Sequence, residues 1–381
     1  MKVEGSNKLK SQAIGQVAGR ELASQEADSK SGIGRPLIIS PEDRILVTGA
    51  TGFIGSRVVQ QLVDSGFHNI ACFSRDSGKA KRVEAGLRHN EDLRLEFIGG
   101  NLLSRADCEA ACKGVSVIIH LAAGVGERSF PDAFMNSVVV TRNLLEASLH
   151  SGRLKRFALV SSFAVYSNRQ RSRCLDETCP LEQHPEDRGD AYCFAKVKQE
   201  AILREYAEQS GVPYTIVRPG AVYGPGRREI TGRVGLGTFG VFLHLGGSNK
   251  IPFTFVDNCA QAIVLAAVVQ GIDGESFNIV DDDLPSSRRF LRMYKKNVRS
   301  FRSIYVPHVV SHALCRFWER YSRKSEGQLP LAFSDGRWYV EWRNTRYSNR
   351  KLKTMLGWTP KVSTSEGLKL FMSSARESQN A

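Results

Sequence analysis

No run of eighteen apolar residues occurs in this sequence, so no segment of it is expected to cross a bilayer as a helix. The polar N-terminus carries no apolar h-region, which argues against a secretory leader. Eight cysteines are present, but only Cys108/Cys112 and Cys174/Cys179 are closely spaced, and no histidine spacing completes a zinc site. No metal ligand is therefore assigned. Several of the others lie in apolar runs, where a thiol packs as a small hydrophobe, so a reducing, cytoplasmic setting is expected. There is no internal repeat. Acids are in short supply: 53 Lys and Arg face 39 Asp and Glu, a net charge of +14. No recognised nucleic-acid motif accompanies that charge, and no nucleic-acid partner is expected.

The basic excess is concentrated. Between Arg288 and Lys324 there are eleven Lys or Arg and one acid, Glu319. Phe290, Leu291, Tyr294, Phe301, Tyr305, Phe317, Trp318 and Tyr321 interleave with them. Such a segment reads as a solvated basic face on helices capping a substrate side, as a peripheral contact with an anionic membrane surface, or as a site for an anionic ligand.

What is present is ordinary globular material, 41% hydrophobic and 24% charged over 381 residues, enough to bury a sizeable core. Residues 1–40 are polar, without a sustained period, and read as a mobile extension. From Arg44 short apolar runs alternate with amphipathic stretches. Strands are expected at Arg44–Thr48, Ile70–Ser74, Leu95–Ile98, Val115–His120, Arg156–Ser161 and Tyr214–Val217. Helices are expected at Phe53–Ser65, Ala106–Cys112, Asp132–His150 and Tyr192–Gln209. This alternation predicts an α/β fold, a doubly wound parallel sheet of Rossmann type over residues 41–220. A smaller C-terminal substrate lobe follows over 221–381, with a helix at Asn258–Gln270 and a strand at Phe277–Val280. Its glycine-dotted Gly232–Gly247 stretch reads as long loops, and Asp335–Asn344 as irregular chain.

Two motifs carry chemistry. Gly49, Gly52 and Gly55 stand between an apolar strand and an amphipathic helix, where missing side chains permit a tight turn and close approach of a pyrophosphate to backbone N–H groups. Thr51 lies within this turn. The second strand ends at Ser74-Arg75, with Ser74 where an acid would hold a ribose and Arg75 able to bind a phosphate, which favours NADP over NAD. Asp76 lies one residue beyond and keeps NAD open. Tyr192 and Lys196 share a helix face. A cation about 4 Å from a phenol favours the phenolate by roughly 4 kcal/mol at an effective dielectric near 20, which predicts a depressed Tyr192 pKa. Ser162, just past the fifth strand, is placed to hydrogen-bond the same substrate oxygen.

With Thr48-Gly49-x-x-Gly52-x-x-Gly55, His120-Leu121-Ala122-Ala123, Ser161-Ser162 through Tyr166, Tyr192-x-x-x-Lys196, Arg218-Pro219-Gly220-Ala221-Val222-Tyr223-Gly224-Pro225-Gly226, Phe255-Val256-Asp257-Asn258 and Leu356-Gly357-Trp358-x-Pro360, the sequence resembles the extended short-chain dehydrogenase/reductases, the NAD-dependent epimerase/dehydratase family. The resemblance runs from about Arg44 to Pro360. It implies Ser162, Tyr192 and Lys196 as the catalytic set. It also implies a dinucleotide lined by Phe53, Ile54, Asn101, Leu102, Leu121, Ala122, Ala123, Ser161, Pro219, Gly220, Ala221 and Val222, and a homodimer through helices of the nucleotide domain. Asn101 stands where the family usually has Asp. Ser137, with Asn136 beside it, stands where Asn is common.

The expected substrate is a hydroxysteroid-like or other apolar ring alcohol or ketone, with two alternatives. Ala221, where nucleotide-sugar enzymes commonly carry Asn, and Phe253–Ala260 resemble the 3β-hydroxysteroid and sterol dehydrogenase branch, with segment 234–247 as an apolar wall for a ring alcohol. The Tyr223-Gly-Pro-Gly and Leu-Gly-Trp-x-Pro motifs keep a nucleotide-sugar epimerase or dehydratase open, with Arg233, Arg288 or Arg289 for a diphosphate. A non-catalytic NADP-binding regulator is the third reading.

Overall fold

The computed structural model describes residues 33–87, 92–124, 126, 129–167, 174–238, 240–325, 328 and 333–380. Seven strands build the main sheet: β1 (Arg44–Thr48), β2 (Asn69–Ser74), β3 (Arg94–Gly99), β4 (Val115–His120), β5 (Arg156–Val160), β6 (Tyr214–Pro219) and β7 (Ser276–Ile279). Their order across the sheet is β7-β6-β5-β4-β1-β2-β3, and every pairing is parallel. Strands such as β4 and β5 are buried along their whole length, as a parallel sheet covered on both faces requires. The order reverses between β1 and β4, so the carboxyl ends of these two neighbours open a crevice.

Helices α1 (Gly55–Asp64), α2 (Ser77–Gly86), α3 (Arg105–Cys112), α4 (Val140–Ser151), α5 (Ala191–Ser210) and α6 (Val256–Val268) connect these strands. Val58, Val59 and Leu62 of α1 pack with Ile263 and Ala267 of α6 on one face of the sheet. Ala111, Leu144, Leu145 and Leu203, from α3, α4 and α5, pack on the other. The doubly wound architecture is as expected from the sequence.

Several details differ. Residues 35–39, expected to lie in a mobile extension, are packed instead: Ile38 N donates to Val268 O at 2.9 Å, Arg35 reaches the Met355 carbonyl at 2.8 Å, and Ile39 is buried. Residues 1–32 lie outside the described residues. Helix α2 was not expected. Of its residues only Ala80 is buried, so it has no apolar stripe to betray it; the Asp76 side chain starts it by accepting from the Gly78 and Lys79 amides. The expected helix Asp132–His150 is interrupted: Phe130–Ala133 is α-helical, Phe134–Val139 is a π-turn, and α4 follows.

In the C-terminal part the chain leaves the sheet after β6, returns for α6 and β7, and leaves again. The Gly232–Gly247 loops are instead largely an antiparallel hairpin of Gly235–Thr238 and Val241–His244, extended by Ser303–Tyr305. Helices α7 (Ser287–Asn297), α8 (His308–Lys324), α9 (Asp335–Glu341), α10 (Arg350–Leu356) and α11 (Thr364–Asn380) complete it. Asp335–Glu341 is thus helical where irregular chain was expected, started by Ser334, whose hydroxyl accepts from Arg337 N. Tyr223, Phe253, Phe255, Phe290, Tyr294 and Phe371 form the aromatic core of this lobe.

Candidate active site

A cleft of about 380 Å³ lies at the strand-order reversal. The glycine turn forms its floor. Gly49 has φ +72°, and a Cβ there would lie 3.0 Å from Ala122 N at the end of β4; a Cβ at Gly55 would overlap the Gly49 carbonyl oxygen. The loop is therefore a cradle that side chains would fill. No side chain caps the N-terminus of α1 and no acid occupies its first turn, so its positive end is left for an anion. These residues fit a dinucleotide pyrophosphate.

Of the sequence-assigned residues, Gly49, Thr51, Gly52, Phe53, Ile54, Gly55, Ser74, Arg75, Asn101, Leu102, Leu121, Ala122, Ala123, Ser161, Ser162, Tyr192, Lys196, Pro219, Gly220 and Val222 all line this cleft. Ala221 does not. It belongs to a short strand whose alternating side chains put Val222 in the cleft and Ala221 in a neighbouring cavity. Asn136, Asp76, Lys79 and Arg227 line the cleft without having been assigned. Within the π-turn, Asn136 faces the cleft, and Ser137 Oγ accepts from Gly124 N at 3.0 Å.

At the β2 end of the cleft, Ser74 Oγ meets Thr51 Oγ1 at 3.2 Å. The Asp76 carboxylate is engaged: it accepts from the Gly78 and Lys79 amides at 2.9 and 3.1 Å and pairs with Lys79 Nζ at 3.5 Å, and the backbone bond from Lys79 holds it below its ordinary pKa. Arg75 is exposed. Asn101 turns its side-chain oxygen to Leu103 N at 3.1 Å.

At the other end, Asp190 caps α5 by accepting from the Tyr192 and Cys193 amides at 3.1 and 3.2 Å, which fixes Tyr192 in the first turn. Ser162, in extended backbone at the end of β5, hydrogen-bonds the Tyr192 phenol and accepts from Ala164 N at 3.2 Å. Lys196 is buried. Its Nζ donates to Val160 O at 2.8 Å and lies 6.0 Å from the centre of the Tyr192 ring. The expected depression of the Tyr192 pKa is not found. Burial pushes the phenol up, with Asp190 and Cys193 adding to it and Ser162 opposing. Burial also pulls Lys196 down to about 8, partly offset by Glu200, which leaves it largely protonated at neutral pH with one proton directed at the Val160 carbonyl. Ser161 lines the cleft, but its hydroxyl donates to Glu200 Oε1 at 2.6 Å.

A second cavity of about 210 Å³ shares Ser162, Tyr192 and Gly220 with the cleft. Its remaining walls include Arg188, Asp190, Thr231, Arg233 and Glu341, with Phe163, Ala164, Ala221 and Val340. The apolar wall expected from segment 234–247 is not there: Leu236 and Leu243 of the hairpin pack instead with Leu245, Cys315 and Trp342. Helix α9 supplies Val340 and Glu341, which sequence reasoning missed because the region carried no helical signature. Arg233 donates to Val340 O at 2.6 Å, while Glu341 Oε2 is buried without a hydrogen-bond partner.

A doubly wound sheet with a glycine cradle at its reversal and a Ser–Tyr–Lys cluster beside it defines a dinucleotide-dependent enzyme class. Residues 45–279 match the NAD-dependent epimerase/dehydratase family, and the chain belongs to that family of NAD-dependent enzymes. The non-catalytic reading is thereby set aside. GDP-mannose 3,5-epimerase 1 of Oryza sativa subsp. japonica is 25% identical over 336 residues, 86% of this chain and 80% of that protein. The decarboxylating sterol-4-alpha-carboxylate 3-dehydrogenase of Saccharomyces cerevisiae is 27% identical over 356 residues, 87% and 97% of the two chains. Rice cinnamoyl-CoA reductase 1 is 33% identical over 185 residues, and the match spans 54% of that protein. Among solved structures, UDP-glucuronic acid 4-epimerase from Bacillus cereus, in complex with UDP-glucuronic acid and NAD, aligns with a TM-score of 0.65 at 24% identity, covering 88% of this chain and 99% of that one. It shares the fold.

Proposed function

We propose that this enzyme moves hydride between a nicotinamide cofactor and a secondary alcohol or ketone on a polar, hydroxylated ring, of the nucleotide-sugar class, with Tyr192 as acid/base. The observation that carries this is the position of Tyr192 and Ser162, which line both the dinucleotide cleft and the charged second cavity. When bound, the nicotinamide supplies or accepts the hydride. Gly49, Gly52 and Gly55 admit its pyrophosphate, and the first turn of α1 faces it. The Tyr192 phenol, kept protonated at neutral pH by burial, donates its proton to a carbonyl oxygen or takes one back from an alcohol. Ser162 hydrogen-bonds that oxygen and offsets the charge developing on it. Lys196, one turn along α5, supplies the cation that steadies the phenolate.

Arg75 and Lys79 at the adenosine end suit the additional phosphate of NADP, while Asp76 is engaged as a helix cap. NADP is accordingly our choice over NAD. The polar substrate is supported by Arg188, Asp190, Thr231, Arg233 and Glu341 around the second cavity. One observation favours a second reading, an apolar ring alcohol of sterol type: Ala221 offers that cavity a methyl group and no hydrogen bond, and a sterol dehydrogenase is among the relatives.

The test is a parallel assay of the purified enzyme with NAD and NADP on nucleotide sugars and on hydroxysteroids, following nicotinamide absorbance and product by NMR. Turnover of a nucleotide sugar is expected. Turnover of hydroxysteroids alone would overturn the substrate assignment, and activity with neither class but with other alcohols would overturn both.

A further inference from the structure

The basic-aromatic segment divides in two when folded. In α7, Phe290, Leu291 and Tyr294 turn inward. In α8 the order is inverted: Ser311, Cys315 and Ser322 face the body, while Val310, Leu314, Phe317 and Tyr321, spaced by four, three and four residues, form an outward apolar stripe. Val309 beside it is 82% exposed, Leu314 58% and Phe317 70%. The inward face is stitched on by polar bonds. Trp338 Nε1 donates to Ser311 Oγ at 3.0 Å, His312 meets Asp335 at 2.7 Å, and Asp335 N donates to Glu319 Oε2 at 2.8 Å. Helix α8 therefore docks mainly through polar side chains, with Cys315 its buried apolar contact, and presents most of its apolar ones outward, the reverse of a surface helix serving a core.

The rim of the stripe is basic. Arg316, Arg320, Arg323 and Lys324 are exposed along α8. Its one acid, Glu319, is taken up by Arg323 at 2.9 Å and by the Asp335 amide. The positive surface continues through Tyr305, over which Arg288 lies at 5.1 Å, into a groove of about 430 Å³ lined by Arg288, Arg292, Lys295 and Lys296 and by no acid. No helix of the described residues is long and apolar enough to cross a membrane.

We propose that α8 is an in-plane docking helix for an anionic lipid surface: Leu314, Phe317 and Tyr321 enter the interface, and Arg316, Arg320 and the α7 groove hold acidic headgroups. Charge decides the occupant. From Arg288 to Lys324 the chain carries eleven bases and one acid, so a second copy set on this face would bring like charge against like, whereas an acidic bilayer complements both the rim and the stripe. Because α8 packs on α9, which lines the second cavity, docking would bring that cavity close to the lipid surface.

The test is co-sedimentation of the full chain with vesicles of phosphatidylcholine alone or with phosphatidylserine. The protein is expected to pellet with the serine-containing vesicles and to be released by salt. Leu314→Ser combined with Phe317→Ser, and separately Arg316→Glu combined with Arg320→Glu, should each weaken binding at least about tenfold with the thermal midpoint unchanged. Equal binding to both vesicle types, no binding to either, or unaltered binding by the variants would overturn the proposal. So would a wild-type dimer that the Leu314/Phe317 variant converts to monomer, since the stripe would then be an interface between copies.

Discussion

Arg218 grips the Glu200 carboxylate with two hydrogen bonds, Nε at 2.9 Å and Nη2 at 2.7 Å, and neither side chain reaches solvent. Glu200 also accepts from Ser161, one residue before Ser162, and Arg218 also donates to the Tyr166 hydroxyl at 2.8 Å. Burial alone would push the carboxyl up, but the Arg218 pair holds it below its ordinary value. The pair thus ties the ends of β5 and β6 to α5, and with them Ser162 to Tyr192. Glu200→Gln leaves the guanidinium buried with a neutral partner. We expect a loss of about 3 kcal/mol in chemical denaturation and a lower kcat; unchanged stability would show that Tyr166 and a neutral amide suffice for Arg218.

Tyr192→Phe removes the proton and leaves the ring. Turnover should vanish while cofactor affinity, measured by fluorescence titration, stays within a few-fold. Ser162→Ala should lower kcat by about a hundredfold, the usual loss of one donor to a developing oxyanion. Full activity of the Tyr192 variant would sink the mechanism.

Arg75→Ala should weaken NADP more than NAD, since only the former carries the additional phosphate for the guanidinium to meet. Equal losses in Kd for both would mean that Arg75 does not discriminate at the ribose.

Gly55→Ala places a methyl group against the Gly49 carbonyl oxygen. The turn must open, so dinucleotide affinity should fall at least about tenfold, with about 1–3 kcal/mol lost from the fold by overpacking. Calorimetric titration separates this from Gly86→Ala, which meets nothing within 4 Å and should bind normally.

Asp281 is buried beneath the start of α6, accepting from Phe255 N at 2.8 Å and Asn258 Nδ2 at 3.0 Å, and burial pushes its carboxyl up to about 7. Its folded value lies above its unfolded one. The stability it contributes is therefore complete below the unfolded pKa and lost as pH rises through about 7. The gain in stability from pH 7.5 to pH 5 should be smaller by on the order of 2 kcal/mol in Asp281→Asn than in wild type. Parallel pH profiles for the two proteins would refute this assignment.

Apart from α2 and the break before α4, the order of strands and helices over residues 44–219 was legible because each of the other elements there has one dominant contact. A fully buried strand must be apolar, and an amphipathic helix such as α1 must show its stripe. The glycine cradle was legible for a similar reason: Gly49 and Gly55 answer to backbone atoms only a few residues away or on the adjacent strand. Among the cofactor-lining assignments, Ala221 went astray because strand alternation turned it away from Val222.

The doubly wound sheet, the glycine turn between β1 and α1 and the Tyr192–Lys196 pair were readable from local periods and short spacings, and Ser162 joined that pair through its place just past the fifth strand. What surrounds Tyr192 was set by packing between distant segments. Its pKa direction comes from burial outweighing the Ser162 hydrogen bond while Lys196 turns to Val160, the wall opposite it from a helix at 335–341 with no sequence signature, and the outward stripe of α8 from polar bonds to α9 together with the burial of Cys315. Each of these follows from contacts between segments far apart in the chain, which no local pattern records.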